Sequence, residues 1–355
     1  MRRLVWWVVG LAAVVAGLVF VGMRIPAVQD LVLQRVAASR MASRPDLLEG
    51  DALRVLLCGT ASPLPHPTRA KACVAVFAGG RFWIVDTGPG SWNRLGLLRV
   101  DGRSIGGVLL THFHSDHIGD LGEFNMQTWA AGRERPLRVF GPPGVERVVN
   151  GFAEAYALDS GYRTLHHGAA LLPPALWRME AVPIAGPGPT VVLDEGGMRI
   201  TAVAVDHTPV APAYAYRFDW RGRSVVVSGD TVKDQPLTAL AKDADVLVHE
   251  AQAQHLVALR LPAQERLGRD RLVKILGDIP SYHTSPVEAA EVANAAGVKL
   301  LVMYHLTPPP TAGLVERAFV RGVDAVRPKG WVLADDGLLI TLPADATTID
   351  VGSIE

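Results

Sequence analysis

Thr111-His112-Phe113-His114-Ser115-Asp116-His117 is the stretch on which the reading of this sequence turns. It follows an apolar run that ends in GVLL (107–110) and reads as a strand, so the histidines and the aspartate stand where the chain leaves a sheet. Polar groups placed there can converge on a ligand without leaving buried charge unpaired. Imidazole nitrogen and carboxylate oxygen are donors that zinc accepts. Three imidazoles and one carboxylate so close together argue against the ordinary alternative, a polar turn with incidental histidines.

Tetrahedral zinc takes about four ligands, and one short loop cannot deliver all of its side chains to a single ion. Further donors are therefore expected from distant strand ends. His207 in AVDHTP, Asp230 in VVVSGDT and His305 in LVMYHLTP each close a β-rich run. Alone, each reads as a polar strand terminus; beside the His112 cluster, each reads as a ligand. The other runs that read as strands are RFWIVD (81–86), LRVFGP (137–142), AYAYRF (213–218) and DVLVHE (245–250). One helix is signalled in detail: Ser285 is an N-cap, Pro286 suits the first helical position, Glu288 completes a capping box, and Gly297 ends the helix. His283 then sits just ahead of a helix N-terminus, where free backbone N–H groups favour an anion, and is expected to share an oxyanion site.

The 355 residues are 49% hydrophobic and 20% charged, with 35 Lys+Arg balancing 35 Asp+Glu. A chain of this kind is not disordered. Its zero formal charge argues against holding nucleic acid mainly through a basic surface. A prior of roughly 150 residues per domain allows about two domains, or one large one with an appendage.

Leu4 to Met23 carries no charged side chain, and a helix of that length spans roughly the 30 Å of a bilayer core. Trp6 and Trp7 next to Arg2 and Arg3, with Arg24 at the other end, suit the two headgroup layers. An uncleaved anchor is expected over 1–24, with a cleaved signal peptide as the alternative. The arginines on the two sides do not decide orientation; the basic start followed by an apolar run favours a catalytic domain outside the cytoplasm, in the periplasm. Residues 25–50 read as an amphipathic linker helix, from the spacing of Val28, Leu31, Val32 and Val36. The main folded domain is expected over 51–343, followed by a frayed polar tail, 344–355. Cys58 and Cys73 lie in adjacent strand-like runs, and a disulfide and two reduced core thiols are both compatible with that placement. Tyr156 to Gly197 is the least regular stretch and is expected to form a substrate-facing insertion, with His66, His166 and His167 as loop residues. His249 and His255 are read as structural.

From Leu53 to Leu342 the sequence resembles the metallo-β-lactamase superfamily, on its ribonuclease Z and arylsulfatase-like branch. The resemblance rests on HxHxDH, CGTASPLP with Arg69, IVDTGPG around Asp86, SGDT around Asp230, VHEA at His249-Glu250, and YHTSPVEAAEVANAAGVKLLVMYHLTPP. It implies an α/β fold, an αββα sandwich, here with an N-terminal transmembrane helix. It implies two Zn2+ ions, with Mn2+ or Fe2+ as alternatives. One would be held by His112, His114 and His207, the other by Asp116, His117 and His305, with Asp230 bridging. Asp86, Thr111 and Glu250 would orient ligands through hydrogen bonds. A metal-bridging hydroxide would attack the substrate, oriented by Asp116, while His283 stabilises the transition state or protonates the leaving oxygen.

The implied activity is a ribonuclease Z-like phosphodiesterase. The alternative is an arylsulfatase-like or other small-ester hydrolase, and a non-catalytic binding protein on the same scaffold is weaker. Expected partners are a small phosphodiester or sulfate ester, RNA, the membrane, and a second copy in a homodimer. A ribonuclease of this kind is expected to carry a protruding Gly/Pro-rich basic arm; 156–197 offers GPGP with few cations, mainly Arg163 and Arg178.

Overall fold

Fifteen strands pair into two sheets among the described residues, 2–311 and 313–354, of the computed structural model, most of them runs dense in Val, Leu, Ile and Phe that suit pleated, buried positions. The first sheet begins with β1 (Ala52–Gly59), β2 (Cys73–Ala78), β3 (Arg81–Val85), β4 (Ile105–Leu109), β5 (Leu137–Gly141) and β6 (Met179–Pro183). The second holds β7 (Thr190–Glu195), β8 (Met198–His207), β9 (Val210–Trp220), β10 (Arg223–Val227), β11 (Val246–Gln252), β12 (Leu300–Thr307) and β13 (Trp331–Leu333). The chain then returns to the first sheet with β14 (Leu338–Pro343) and β15 (Asp350–Ser353), giving the orders β15-β14-β1-β2-β3-β4-β5-β6 and β13-β12-β11-β10-β9-β8-β7.

Period-2 alternation sorts the strand residues between a shared core and two outer ones. Leu53, Val55 and Leu57 of β1 meet Ile200, Tyr216 and Phe218 of the opposing sheet. On the outer faces, Leu121 and Phe124 of the helix Leu121–Ala130 cover the first sheet, and Ala289, Val292 and Ala293 of the helix Pro286–Ala295 cover the second. The layers are therefore αββα. Each fully buried Leu, Val or Phe contributes about 1.5–3 kcal/mol relative to exposure, so this layering, more than local propensity, selects the fold.

β3, β4, β5 and β6 run parallel, as do β10, β11, β12 and β13. Parallel strands share one C-terminal edge, and in open sheets ligands gather outside it. The expected capping box is present: Ser285 Oγ accepts from Glu288 N at 3.2 Å and Glu288 Oε2 accepts from Ser285 N at 2.9 Å.

Two compact units divide at the boundary between Met1–Arg44 and Pro45–Glu355. Within the first, Val5–Gly22 is long and apolar enough to cross a membrane, with a mean hydropathy of 2.3. A second helix, Pro26–Met41, begins on a proline at the position where its missing N–H costs nothing. Its apolar surface is wider than the spacing of Val28, Leu31, Val32 and Val36 predicts, because exposed Leu33 lies off that stripe.

Three expectations are corrected. The polar tail is not frayed: Asp350–Ser353 pairs with Leu338–Thr341, because backbone hydrogen bonding at a sheet edge needs no apolar side chains. Packing also begins earlier than residue 51, at the turn Pro45–Leu47, where Leu47 is buried among Leu56, Phe77 and Phe82. Tyr156 to Gly197 is more regular than expected. It supplies the helix Ala157–His167, which carries His166 and His167, then β6 and β7 at the sheet edges. Trp177 packs against Trp129 with ring centroids 5.5 Å apart.

Cys58 stands in a β-bulge between Leu57 and Gly59 and is disulfide-bonded to Cys73 on the neighbouring strand, with Cα atoms 5.0 Å apart. Protein purified without reductant is therefore expected to show no labelled thiol until it is unfolded and reduced. Cys58→Ser/Cys73→Ser should lose about 2–4 kcal/mol in urea unfolding. Two readily labelled thiols, or an unchanged urea midpoint, would contradict the bridge.

Candidate metal centre

The site forms where both sheets end, from side chains more than 180 residues apart in sequence. His112, His114, Asp116 and His117 leave β4 in a loop and one helical turn; His207 ends β8, Asp230 follows β10, and His305 lies within β12. His114 is exposed, whereas His112, Asp116, His117, His207, Asp230 and His305 are buried. Their donor atoms fall into two groups in which every atom lies within 4.8 Å of the others: His112, His114, His207 and Asp230, then Asp116, His117 and His305. Asp230, His283 and His305 form a third. The structure thus brings together all seven residues expected as ligands, in the groups the resemblance implies, and sets His283 beside them.

Hydrogen bonds hold three of the five rings by the far nitrogen. Asp86 Oδ2 accepts from His117 Nδ1 at 2.8 Å and from Thr111 Oγ1 at 2.8 Å, while Asp86 Oδ1 accepts from Thr111 N at 2.8 Å. Because the Thr111 hydroxyl gives its proton to Asp86, its oxygen accepts from His112 Nδ1, 3.0 Å away. The Tyr282 carbonyl accepts from His207 Nδ1 at 2.9 Å. With Nδ1 protonated in all three rings, Nε2 of His112, His117 and His207 presents its lone pair to the centre when the ring is neutral; burial alone would lower His117, but Asp230 and Asp86 outweigh it and hold that ring well above its ordinary value.

Backbone geometry contributes too. Asp86 has φ 60° and His305 φ 45°, a left-handed conformation that side chains with a Cβ rarely adopt and that costs of order 1–3 kcal/mol. At His305 the β11–β12 register slips between Glu250 and Ala251, so the strand bulges at the candidate ligand. Gly88 allows the 86–90 and 111–117 loops to touch, since a Cβ there would lie 2.2 Å from the Asp116 carbonyl oxygen.

The donors press on one another. His112 Nε2 lies 2.9 Å from His114 Nδ1, His117 Nε2 lies 3.2 Å from His305 Nε2, and Asp230 Oδ2 lies 3.3 Å from His117 Nε2. His207 Nε2, Asp230 Oδ1 and His305 Nδ1 are buried without a hydrogen-bond partner. Buried polar atoms left unpaired are costly and rare, and a set of orphaned imidazole and carboxylate atoms facing one point fits a divalent cation. Burial, then the nearby His117, pushes His112 well below its ordinary value, and burial also lowers His114 and His207, so these three rings are ready as neutral donors. Burial alone would raise the Asp230 carboxyl, but His305 and His117 hold it well below the usual carboxylate range.

His283 is placed differently. Its Nδ1 lies 2.8 Å from Glu250 Oε1, and Glu250 is fully buried, also accepting from Thr231 N and Thr284 N at 3.2 Å. Burial alone would lower His283, but Glu250 outweighs it and the imidazole is pushed up to about 9. Of the N–H groups at the start of the following helix, Thr284 N bonds Glu250, Ser285 N bonds Glu288 and Glu288 N bonds Ser285 Oγ.

His249 and His255 are structural, as expected: His249 Nδ1 bonds the Glu250 carbonyl at 2.8 Å and His255 Nε2 the Ala318 carbonyl at 2.7 Å. His66 Nε2 lies 3.2 Å from the Pro310 carbonyl. Arg69 donates to Thr60 Oγ1 and the Ala334 carbonyl, both at 2.7 Å, which ties the first sheet's loop to the strand that returns to it. Sequence reasoning missed the Tyr282 carbonyl, for which no side-chain signal exists. It also missed Lys71, whose Nζ donates to the Ser62 carbonyl at 2.7 Å and to the Leu64 carbonyl, fixing the lip formed by 62–71.

Removing the central carboxylate by Asp230→Ala should abolish metal retention and hydrolytic activity together, read by elemental analysis and a diester assay; wild-type metal content in this variant would contradict the central role of Asp230. Asp86→Asn, which spares every donor atom facing the centre, should weaken metal affinity about 10–100-fold in chelator competition. An unchanged affinity would reduce Asp86 to ordinary strand-end bonding.

The Beta-lactamase superfamily domain family matches residues 81–306, a span that holds every candidate ligand. Ribonuclease Z of Mycobacterium bovis is 38% identical over 268 residues, covering 75% of this chain and 90% of that protein. Ribonuclease Z of Mycobacterium avium is 39% identical over 268 residues, with the same coverage of both chains. In fold, the chain is similar to the metallo-beta-lactamase fold protein YhfI from Bacillus subtilis, at a TM-score of 0.58 and 18% identity, over 82% of this chain and 100% of that one. It is similar also to human tRNase Z, short form, at a TM-score of 0.57 and 19% identity, over 82% and 99%. With the αββα sandwich and the histidine- and aspartate-lined centre in place, the chain belongs to the metallo-β-lactamase-fold hydrolases, on their ribonuclease Z branch, and is a metal-dependent hydrolase.

Proposed function

We propose that this protein is a binuclear zinc phosphodiesterase of the ribonuclease Z kind, held at a membrane by Val5–Gly22. The observation that carries the reading is the pair of donor groups, one containing Asp230 and the other reaching it through His117 at 3.3 Å and His305 at 3.5 Å. In this reading His112, His114 and His207 would hold one ion, Asp116, His117 and His305 would hold the other, and Asp230 would serve both; Mn2+ or Fe2+ would suit the same donors. Bound zinc supplies Lewis acidity and an activated water.

The chain's own residues do the rest. Asp116, whose Oδ2 lies 3.1 Å from His305 Nε2, orients the attacking water as a hydrogen-bond acceptor. His283 carries its proton at neutral pH because its value is raised to about 9, and the Glu250 contact at Nδ1 leaves Nε2–H for the leaving oxygen. Asp86 and Thr111 keep His117 and His112 in the tautomer that presents Nε2.

The ribonuclease Z names of the mycobacterial relatives support RNA as a substrate in this reading. Three observations favour a second one, a small phosphodiester or sulfate ester handled outside the cytoplasm. The apolar N-terminal helix suits a membrane anchor or an export signal. The Cys58–Cys73 disulfide suits an oxidising compartment such as the periplasm. The 156–197 stretch contributes edge strands Met179–Pro183 and Thr190–Glu195 and carries few cations, mainly Arg163 and Arg178, for an arm that grips tRNA.

The zinc-loaded full chain is to be assayed on a chromogenic phosphodiester, a sulfate ester, a lactone and precursor tRNA. Diester hydrolysis is expected, and zinc bound without turnover of any diester would contradict the reading. Efficient, specific tRNA cleavage would select RNA over the small substrate. His283→Ala is expected to keep its metal content and lose about 10²–10⁴-fold in kcat, and full turnover in that variant would remove its role.

A further inference from the structure

At the end of the first sheet away from the metal centre, a cleft of about 350 Å³ opens among the N-terminal ends of β3, β4 and β5. These strands are five residues long, which sets the cleft roughly 16 Å from the edge that carries Asp86 and His112. Its lining includes Arg81, Arg103, Arg133, Arg135 and Arg138, with Asp101 and Glu134 as the carboxylates. In a chain of zero net charge this is a concentrated positive field.

The arginines are not equivalent. Arg103 is held by both oxygens of Asp101, at 3.2 and 2.7 Å, and Arg138 by both oxygens of Glu195, at 2.7 and 3.0 Å. Arg133 is buried and gives its N–H groups to Asn125 Oδ1, Thr128 Oγ1 and the Leu176 carbonyl, each at 2.6 Å, so the wall behind the cleft is rigid. Arg81 and Arg135 are exposed and make no side-chain hydrogen bond or ion pair among the described residues. Arg138 occupies both oxygens of Glu195 and holds that carboxyl below its ordinary value, and the Arg81 and Arg135 guanidinium groups lie near enough to help.

We propose that this cleft binds a phosphate group, gripped by the unpaired guanidinium groups of Arg81 and Arg135. Guanidinium is a planar, weakly hydrated fork that matches phosphate oxygens in pairs, and a cleft of this size admits a small phosphorylated molecule or the headgroup of one anionic phospholipid. Both sources share the chemistry. The cleft takes no part in hydrolysis, since it lies at the opposite edge of the sheet from every candidate ligand.

The test is phenylglyoxal labelling of the full chain in neutral detergent, mapped residue by residue with mass spectrometry, with exposed Arg147 as the internal reference. Inorganic phosphate, phosphatidylglycerol vesicles or both should slow labelling of Arg81 and Arg135 about tenfold relative to Arg147. Protection by phosphate alone assigns a soluble ligand, and protection by phosphatidylglycerol but not phosphatidylcholine vesicles assigns a lipid headgroup. Arg81→Gln/Arg135→Gln should bind neither probe at the cleft while hydrolysing a chromogenic diester at the wild-type rate. Unchanged labelling with both probes, equal slowing at Arg147, or protection by precursor tRNA only would overturn the proposal.

Discussion

One buried carboxylate faces four imidazoles at the junction of the two sheets. Asp230 lies 3.3 Å from His117, 3.5 Å from His305, 3.9 Å from His112 and 4.0 Å from His207. Taking such a charge out of water costs several kcal/mol, which only close, opposite charge offsets. Two of the four rings come from β8 and β12 of the sheet that carries Asp230, and two from the loop after β4 of the other. The centre therefore exists only when the sandwich is closed. Closure in turn rests on the apolar strand faces that meet between the sheets, Leu53 and Val55 against Ile200 and Phe218 among them.

Around that carboxylate, hydrogen bonds orient the histidines. Asp86, Thr111 and the Tyr282 carbonyl fix three rings by Nδ1 and leave their Nε2 lone pairs inward, the arrangement a cation needs. Glu250 meets His283 at Nδ1 in the same way that Asp86 meets His117, and this fully buried carboxylate stabilises the protonated His283 ring. The two rings differ in what faces Nε2: that of His117 lies 3.3 Å from Asp230 and 3.2 Å from His305 Nε2. The left-handed backbone at Asp86 and His305 belongs to the same economy, with local strain accepted where it aims a side chain.

The legible part of this protein is the part whose chemistry is carried by side-chain type. HxHxDH, and the His207, Asp230 and His305 strand ends, could be read because polar donors closing apolar runs have few other uses. The Ser285-Pro286-Val287-Glu288 cap was legible for a similar reason, since each residue has a defined role at a helix start. What escaped were contacts made by backbone or decided by distant packing. Strand Asp350–Ser353 has no apolar signature, and Leu47 precedes the domain by an unpatterned turn. The helix and edge strands within 156–197 are interrupted by Pro and Gly and stabilised by Trp129 and Trp177 rather than by periodicity. The N–H groups ahead of His283 looked free because the sequence does not show that Glu250 folds back to meet them.

The account stands on Asp230 as the shared ligand of two ions. Anomalous diffraction from crystals of the zinc-loaded protein, recorded on either side of the zinc absorption edge, tests it most directly. Two peaks about 3.5–4 Å apart, with the Asp230 carboxylate between them, are the expected result. A single peak, or two peaks that Asp230 does not touch, would contradict the account.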